Sequence, residues 1–182
     1  MPVEIEGKTF DLDASVLDGI LDAMEGTAGD GIERGFQFCE LPSGKITAGQ
    51  KCTGNSCSIQ ISDCKEVGGK QVGDFHSHPE VISFSLGDYL HSIELAKETP
   101  GNKFLLCVSL MDKGVRCKAL KKIPSQSVID SVIPIDSDEE REKVKPYFTK
   151  KLNISVEQIH KLKEGVPWNK LPKAEQVIAV DE

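Results

Sequence analysis

Two histidines separated by a single residue, His76 and His78, are followed by an aspartate at position 88. Imidazole nitrogens and carboxylate oxygens are zinc donors. Two neutral imidazoles with one carboxylate make the three-protein-ligand set of a catalytic zinc, leaving a fourth position for water. That open position separates a hydrolytic centre from a structural one. Pro79 follows His78, and a bend there is expected to turn both imidazoles onto one ion. Ser85 stands three residues before Asp88, so the pair also reads as a helix N-cap with an acid at N3. A carboxylate in the first helical turn suits both the helix dipole and an ion held just outside the helix end.

The elements that must position these residues can be read from periodicity and punctuation. Asp13 is a good N-cap for a helix whose apolar positions are Val16, Leu17, Ile20, Leu21 and Met24, with Gly26, Gly29 and Gly31 expected to end it. Short β-type runs follow at 35–39, 45–48, 57–62 and 72–76, with a turn at Pro42-Ser43-Gly44. A second helix is predicted over 86–98, with Leu86, Leu90, Ile93 and Ala96 near one face, stopped by Thr99-Pro100-Gly101-Asn102. Strands at 103–110 and 115–120 flank a turn at Met111-Asp112-Lys113-Gly114. The fold class is therefore α/β in the α+β sense, a central mixed, mostly antiparallel β-sheet flanked by helices. Beyond Pro124 a capped helix is expected from Ser137 to about Leu152, interrupted by Pro146, and another from Ser155 to Gly165, before a proline-rich stretch at 166–172. Residues 1–124 read as the globular unit and 125–182 as a C-terminal helical extension with a loose tail.

Composition bounds the class. The 182 residues are 38% apolar and 28% charged, an ordinary globular profile. No run approaches the roughly 18 apolar residues of a membrane helix, and Met1-Pro2-Val3-Glu4 lacks the basic and apolar regions of a signal peptide. A cytoplasmic protein that does not engage a membrane is the expectation. The net charge of −7 argues against nucleic acid as a partner. Most of that charge sits in residues 1–33, which carry nine acids and one lysine, while 137–173 carry nine bases against six acids. Six cysteines (Cys39, Cys52, Cys57, Cys64, Cys107, Cys117) contain no C-x-x-C. Buried free thiols are the favoured reading, ahead of disulfides of the kind found in hyperthermophile intracellular proteins and of a metal site. Cys107 and Cys117, on either side of a turn, are the best disulfide candidate.

The stretch His76-Ser77-His78-Pro79 with Ser85-Leu86-Gly87-Asp88, preceded by Val72-Gly73-Asp74-Phe75, resembles the JAMM/MPN+ zinc metalloprotease family, whose signature is H-x-H-P, a spacer and S-x-x-D after an upstream glutamate. Glu33, between the first helix and the first sheet strand, matches the position of that glutamate. The resemblance covers about residues 13–120 and is closest to the compact prokaryotic members. It departs from the family in one place: six residues separate His78 from Ser85 where the family usually has seven, which shortens the loop before the helix.

The resemblance implies a cytidine-deaminase-like JAMM/MPN core and a Zn2+-dependent isopeptidase or peptidase acting on a ubiquitin-like or small-protein conjugate. It assigns His76, His78 and Asp88 as metal ligands, Glu33 as the general base and Ser85 as the oxyanion hydrogen-bond donor. Two other readings stand beside it: a peptidase acting on small peptides or sulfur-carrier adducts, and a non-catalytic scaffold of the MPN type. The C-terminal helices suit a homodimer contact or a partner under any of them. His91, three residues after Asp88 on the same helical face, reads as packing against the sheet, with a place beside the metal ligands as the alternative. His160 reads as a surface residue, Gly68-Gly69 as a turn, and Trp168 as an anchor for the tail.

Overall fold

A hairpin opens the chain. Strand β1 (Pro2–Ile5) pairs antiparallel with β2 (Lys8–Asp11) around Glu6 and Gly7, both at positive φ. The structure, a computed structural model, describes residues 1–54, 57, 63–79, 84–98, 103–110 and 114–171. The features expected at 58–62, 99–102 and 111–113 and the loose tail from residue 172 lie outside the described residues.

Helix α1 (Ala14–Asp30) is capped as expected, the Asp13 carboxylate accepting the Val16 N–H, and it buries Val16, Leu17, Ile20, Ala23 and Met24. It runs through Gly26 and Gly29 and stops only at Gly31, where φ is 75°. A glycine inside a helix costs only about 1 kcal/mol, whereas a left-handed residue ends it. Gly26 has a use there: a Cβ at this position would lie 2.5 Å from Nε of Arg34.

The main sheet has seven strands: β3 (Arg34–Glu40), β4 (Ile46–Ala48), β5 (Cys52–Thr53), β6 (Lys70–His78), β7 (Leu105–Leu110), β8 (Gly114–Ala119) and β9 (Leu152–Ser155). Their order is β4-β3-β6-β7-β8-β9, with β5 also on β3. Among the described strands only β6 and β7 pair in parallel, and the crossover between them carries α2 (Leu86–Lys97). Successive residues of a strand face opposite sides, so Leu105 and Cys107 enter one core and Leu106 and Val108 the other. The first core packs Phe36, Phe38 and Phe75 against Val16, Leu17 and Ile20 of α1. The second packs Leu86, Tyr89 and Ile93 of α2 against Phe104, Leu106 and Phe148. The result is an α+β fold with helices on both faces of a mixed, mostly antiparallel sheet, as the sequence predicts.

Beyond residue 124 lie α3 (Gln126–Ser131), α4 (Asp138–Val144) and α5 (Val156–Lys163). The helix expected to reach Leu152 ends at Val144, because Pro146 sits in a 3-10 turn at Lys145–Tyr147. Residues Leu152–Ser155 then form β9, paired with β8, and Ile154, Ile159 and Leu162 join the first core. The segment read as a helical extension with a loose tail thus also contributes an edge strand to the sheet. Ser155 ends the strand and caps α5 in the same step.

All six cysteines are paired, Cys39 with Cys64, Cys52 with Cys57 and Cys107 with Cys117, which overturns the free-thiol reading. Cys107 and Cys117 are direct register partners across β7 and β8 with Cα atoms 4.1 Å apart, the pairing the sequence favoured. Three disulfides fit oxidising surroundings or the interior of a hyperthermophile better than an ordinary reducing cytoplasm. No helix among the described residues is long and apolar enough to cross a membrane.

Candidate active site

Strand β6 divides its side chains between the two helix layers. Past a register shift opposite Phe38 and Cys39, Phe75 enters the α1 core and Ser77 bonds Thr27 of α1. Asp74, His76 and His78 take the other face, where Asp88 and His91 of α2 meet them. The two histidines lie within a continuous strand, and residues two apart share a face. The bend expected at His78-Pro79 is therefore not what aligns them; the pleat does it.

Glu33 is brought to this strand by a hydrogen-bonded lock on the opposite face. The Ser77 hydroxyl accepts the Arg34 N–H at 2.8 Å and donates to the Arg34 carbonyl at 3.1 Å, and its oxygen lies 2.5 Å from the Thr27 hydroxyl. Thr27 in turn donates to the Ile32 carbonyl. Gly54, past β5, donates to the Glu33 carbonyl at 2.7 Å. Held on both sides, the half-exposed Glu33 places Oε1 3.7 Å from Nε2 of His78. Gly35, the register partner of His76, leaves room for that imidazole: a Cβ on Gly35 would fall 2.9 Å from His76 Cδ2 and 2.4 Å from the Phe75 carbonyl.

Asp88 arrives from the first turn of α2. The Ser85 hydroxyl accepts the Asp88 N–H at 3.1 Å, and the Ser85 N–H donates to Asp88 Oδ2 at 2.9 Å, so the capping box read from the sequence is complete. Asp136, just before α4, accepts the next N–H, that of Leu86. The cap does not remove Asp88 from the site: the same Oδ2 lies 3.6 Å from His78 Nε2. Ser85 is engaged in the cap and is not among the residues lining the cavity described next.

A cavity of about 530 Å³ opens here, lined by Glu33, Asp74, His76, Asp88 and His91 among others. Its floor holds Asp74, which the sequence reading passed over. The side chain is 7% exposed, with Oδ1 3.7 Å from Nδ1 of His76 and Oδ2 3.6 Å from Nε2 of His91. Burial raises the Asp74 pKa above the usual carboxylate range; His76 and His91 oppose the rise and Asp88 adds to it. The available signal was an acid two residues before His76, hence on the same strand face as His76 and His78.

Zinc bonds of about 2.0–2.2 Å at tetrahedral angles hold two ligand atoms roughly 3.3–3.5 Å apart. The 3.6 Å between His78 Nε2 and Asp88 Oδ2 is close to that spacing without any movement. Among the described residues no group of three or more His, Cys, Asp or Glu side chains is gathered to hold a metal as it stands. His76 lines the same cavity, with the Asp74 carboxylate 3.7 Å from its Nδ1 and Nε2 on the other side of the ring. By donor type, two imidazoles and one carboxylate are a set that suits zinc. No protein-family model matches the chain, and no curated protein matches it significantly.

Proposed function

We propose that the chain is a zinc-dependent metallopeptidase of the JAMM/MPN+ type on a cytidine-deaminase-like core, hydrolysing the isopeptide or peptide bond that joins a ubiquitin-like or small-protein modifier to an amine. The observation that carries this reading is the convergence of two carboxylates on one imidazole nitrogen. Asp88 from α2 and Glu33 from the α1–β3 connection stand 3.6 and 3.7 Å from His78 Nε2, at the edge of a cavity that His76 also lines.

His76, His78 and Asp88 would hold the zinc. When bound, the ion would supply Lewis acidity and bring the pKa of its water down towards neutrality. Glu33, exposed enough to meet substrate, takes the proton from the attacking water and returns it to the leaving amine, the two proton transfers that amide hydrolysis requires. Ser85 uses its oxygen to accept the Asp88 N–H, and its own proton remains to donate to the developing oxyanion. For that hydroxyl to reach substrate, the bound chain must approach the mouth of α2.

The test is metal content and cleavage on the same preparations. The wild type is expected to hold about one zinc per chain, lost in His78→Ala and Asp88→Ala. Glu33→Gln should keep its zinc while hydrolysis of isopeptide-linked conjugates falls by about 10²–10⁴-fold. Full zinc retention in both ligand variants would sink the site assignment. A zinc-loaded wild type that cleaves neither conjugates nor linear peptides would favour the scaffold reading.

A further inference from the structure

A buried carboxylate lining a cavity is an expensive choice. Removing it from water costs several kcal/mol unless partners compensate. On β6 its register partners are Gln37 of β3 and Leu106 of β7, and an apolar residue at this position would extend the second core. Asp74 is instead divided between two imidazoles from two elements. Oδ1 faces Nδ1 of His76 on its own strand, and Oδ2 faces Nε2 of His91 on α2. Both imidazoles line the cavity, His76 with 19% and His91 with 42% of the side chain exposed.

We propose that Asp74 is a positioning residue that clamps His76 and His91 together, fixing His76 in the tautomer that presents Nε2 to the metal and holding His91 at the cavity mouth beside the substrate path. The clamp rests on the zinc reading of the site. An imidazole can carry its proton on either nitrogen; the Asp74 carboxylate stands 3.7 Å from Nδ1, and by closing to hydrogen-bond distance as the ring turns to the ion it selects the form whose Nε2 lone pair is free. It also limits ring rotation, so the swing that brings His76 to the ion becomes a hinge about one fixed partner. The second oxygen does the same for His91, which stands one helical turn after Asp88 and so borders the same end of the cavity.

The experiment measures zinc affinity by chelator competition in the wild type, Asp74→Asn, His91→Ala and His78→Ala, together with ¹⁵N NMR of the histidine tautomers in the zinc-loaded wild type. The expected results are a 10–100-fold weaker zinc affinity in Asp74→Asn, a change of less than about threefold in His91→Ala, and His76 protonated at Nδ1. The tautomer needs no variant, so a failure of Asp74→Asn to fold leaves the clamp testable. Coordination of zinc through Nδ1 of His76, or an unchanged affinity in a folded Asp74→Asn, overturns the clamp alone. Metal loss in His91→Ala as severe as in His78→Ala makes His91 a ligand and also overturns it. A wild type that binds no zinc overturns the reading beneath it as well.

Discussion

Ser77 stands between the two histidines and serves the opposite face of the sheet. Fully buried, its hydroxyl accepts the Arg34 N–H and donates to the Arg34 carbonyl, with the Thr27 hydroxyl 2.5 Å away, so it fixes the backbone immediately after Glu33. Ser77→Ala removes the acceptor of a backbone N–H, a change that costs about 1–3 kcal/mol in a buried setting. The Ser77 side chain lies on the sheet face opposite the proposed metal ligands, against Thr27 and Arg34. The expected outcome is a zinc content equal to wild type with turnover reduced roughly tenfold or more, as Glu33 loses its fixed approach to His78. Measuring metal and turnover on the same sample separates this from general instability, and unchanged turnover would show that Gly54 alone suffices to hold Glu33. Residues of this kind are hard to see in a sequence. The alternation of the strand says that Ser77 faces away from the histidines, but not that α1 returns there to be tied.

The element that carries Glu33 is the junction of α1 with β3, and it is pinned a second time at the surface. Arg34 forms a two-pronged pair with Asp30, at 2.8 and 2.7 Å, its guanidinium lying along α1 where Gly26 has no side chain. This pair lowers the Asp30 pKa from 3.8 to about 2, the bond to Arg34 acting first and the Ile32 N–H second. A carboxylate with a depressed folded-state pKa binds protons more weakly than in the unfolded chain. Its stabilisation is therefore complete above about 3.8 and is lost as pH falls through about 2. Asp30→Asn should be slightly less stable than wild type at neutral pH, and the two acid-unfolding curves should converge below about pH 2. A difference that persists there would mean that Asp30 acts through something other than its charge. At this scale the sequence was informative where signals are local. Asp13 and Ser85 announced their helices, and His76, His78 and Asp88 lie close enough along the chain for strand and cap geometry to unite them. It failed where one residue has two roles or a contact comes from afar. Ser155 looked like a helix cap and is also the last residue of β9. The alternation of buried Val3 and Ile5 with exposed Glu4, closed by Glu6-Gly7, was a hairpin signal that went unread. Asp74 sits in a short strand sequence where one acid looks unremarkable until α2 supplies His91.

The whole molecule is held by two cores on opposite faces of one sheet and by disulfides that tie its loops to that sheet. Cys39–Cys64 attaches β3 to the 3-10 turn at Asp63–Lys65, Cys107–Cys117 bridges neighbouring strands, and Cys52–Cys57 closes a short loop whose Gly54 and Cys57 line the cavity. Spacing could suggest only the hairpin pair, because the other two pairings depend on how β3, β5 and the turn meet in space. Loop closure makes their contributions unequal. With sequence separations of 25, 10 and 5, the chain-entropy estimate is about 3.5, 2.7 and 2 kcal/mol. Cys39 and Cys64 are also buried at 0% and 3% exposure, so solvent reaches them last. The Cys39→Ser/Cys64→Ser pair should therefore lower Tm by roughly 10 °C, using about 2–4 °C per kcal/mol for a domain of this size, and the Cys52→Ser/Cys57→Ser pair by roughly half as much. The second pair should nevertheless disturb catalysis more, because it frees the loop whose Gly54 N–H holds the Glu33 carbonyl. Alkylation in denaturant followed by intact mass gives the independent control: no thiol should react before reduction and six after it. Six reactive thiols in the unreduced protein would abolish the ranking and return the cysteines to the free-thiol reading that composition alone favours.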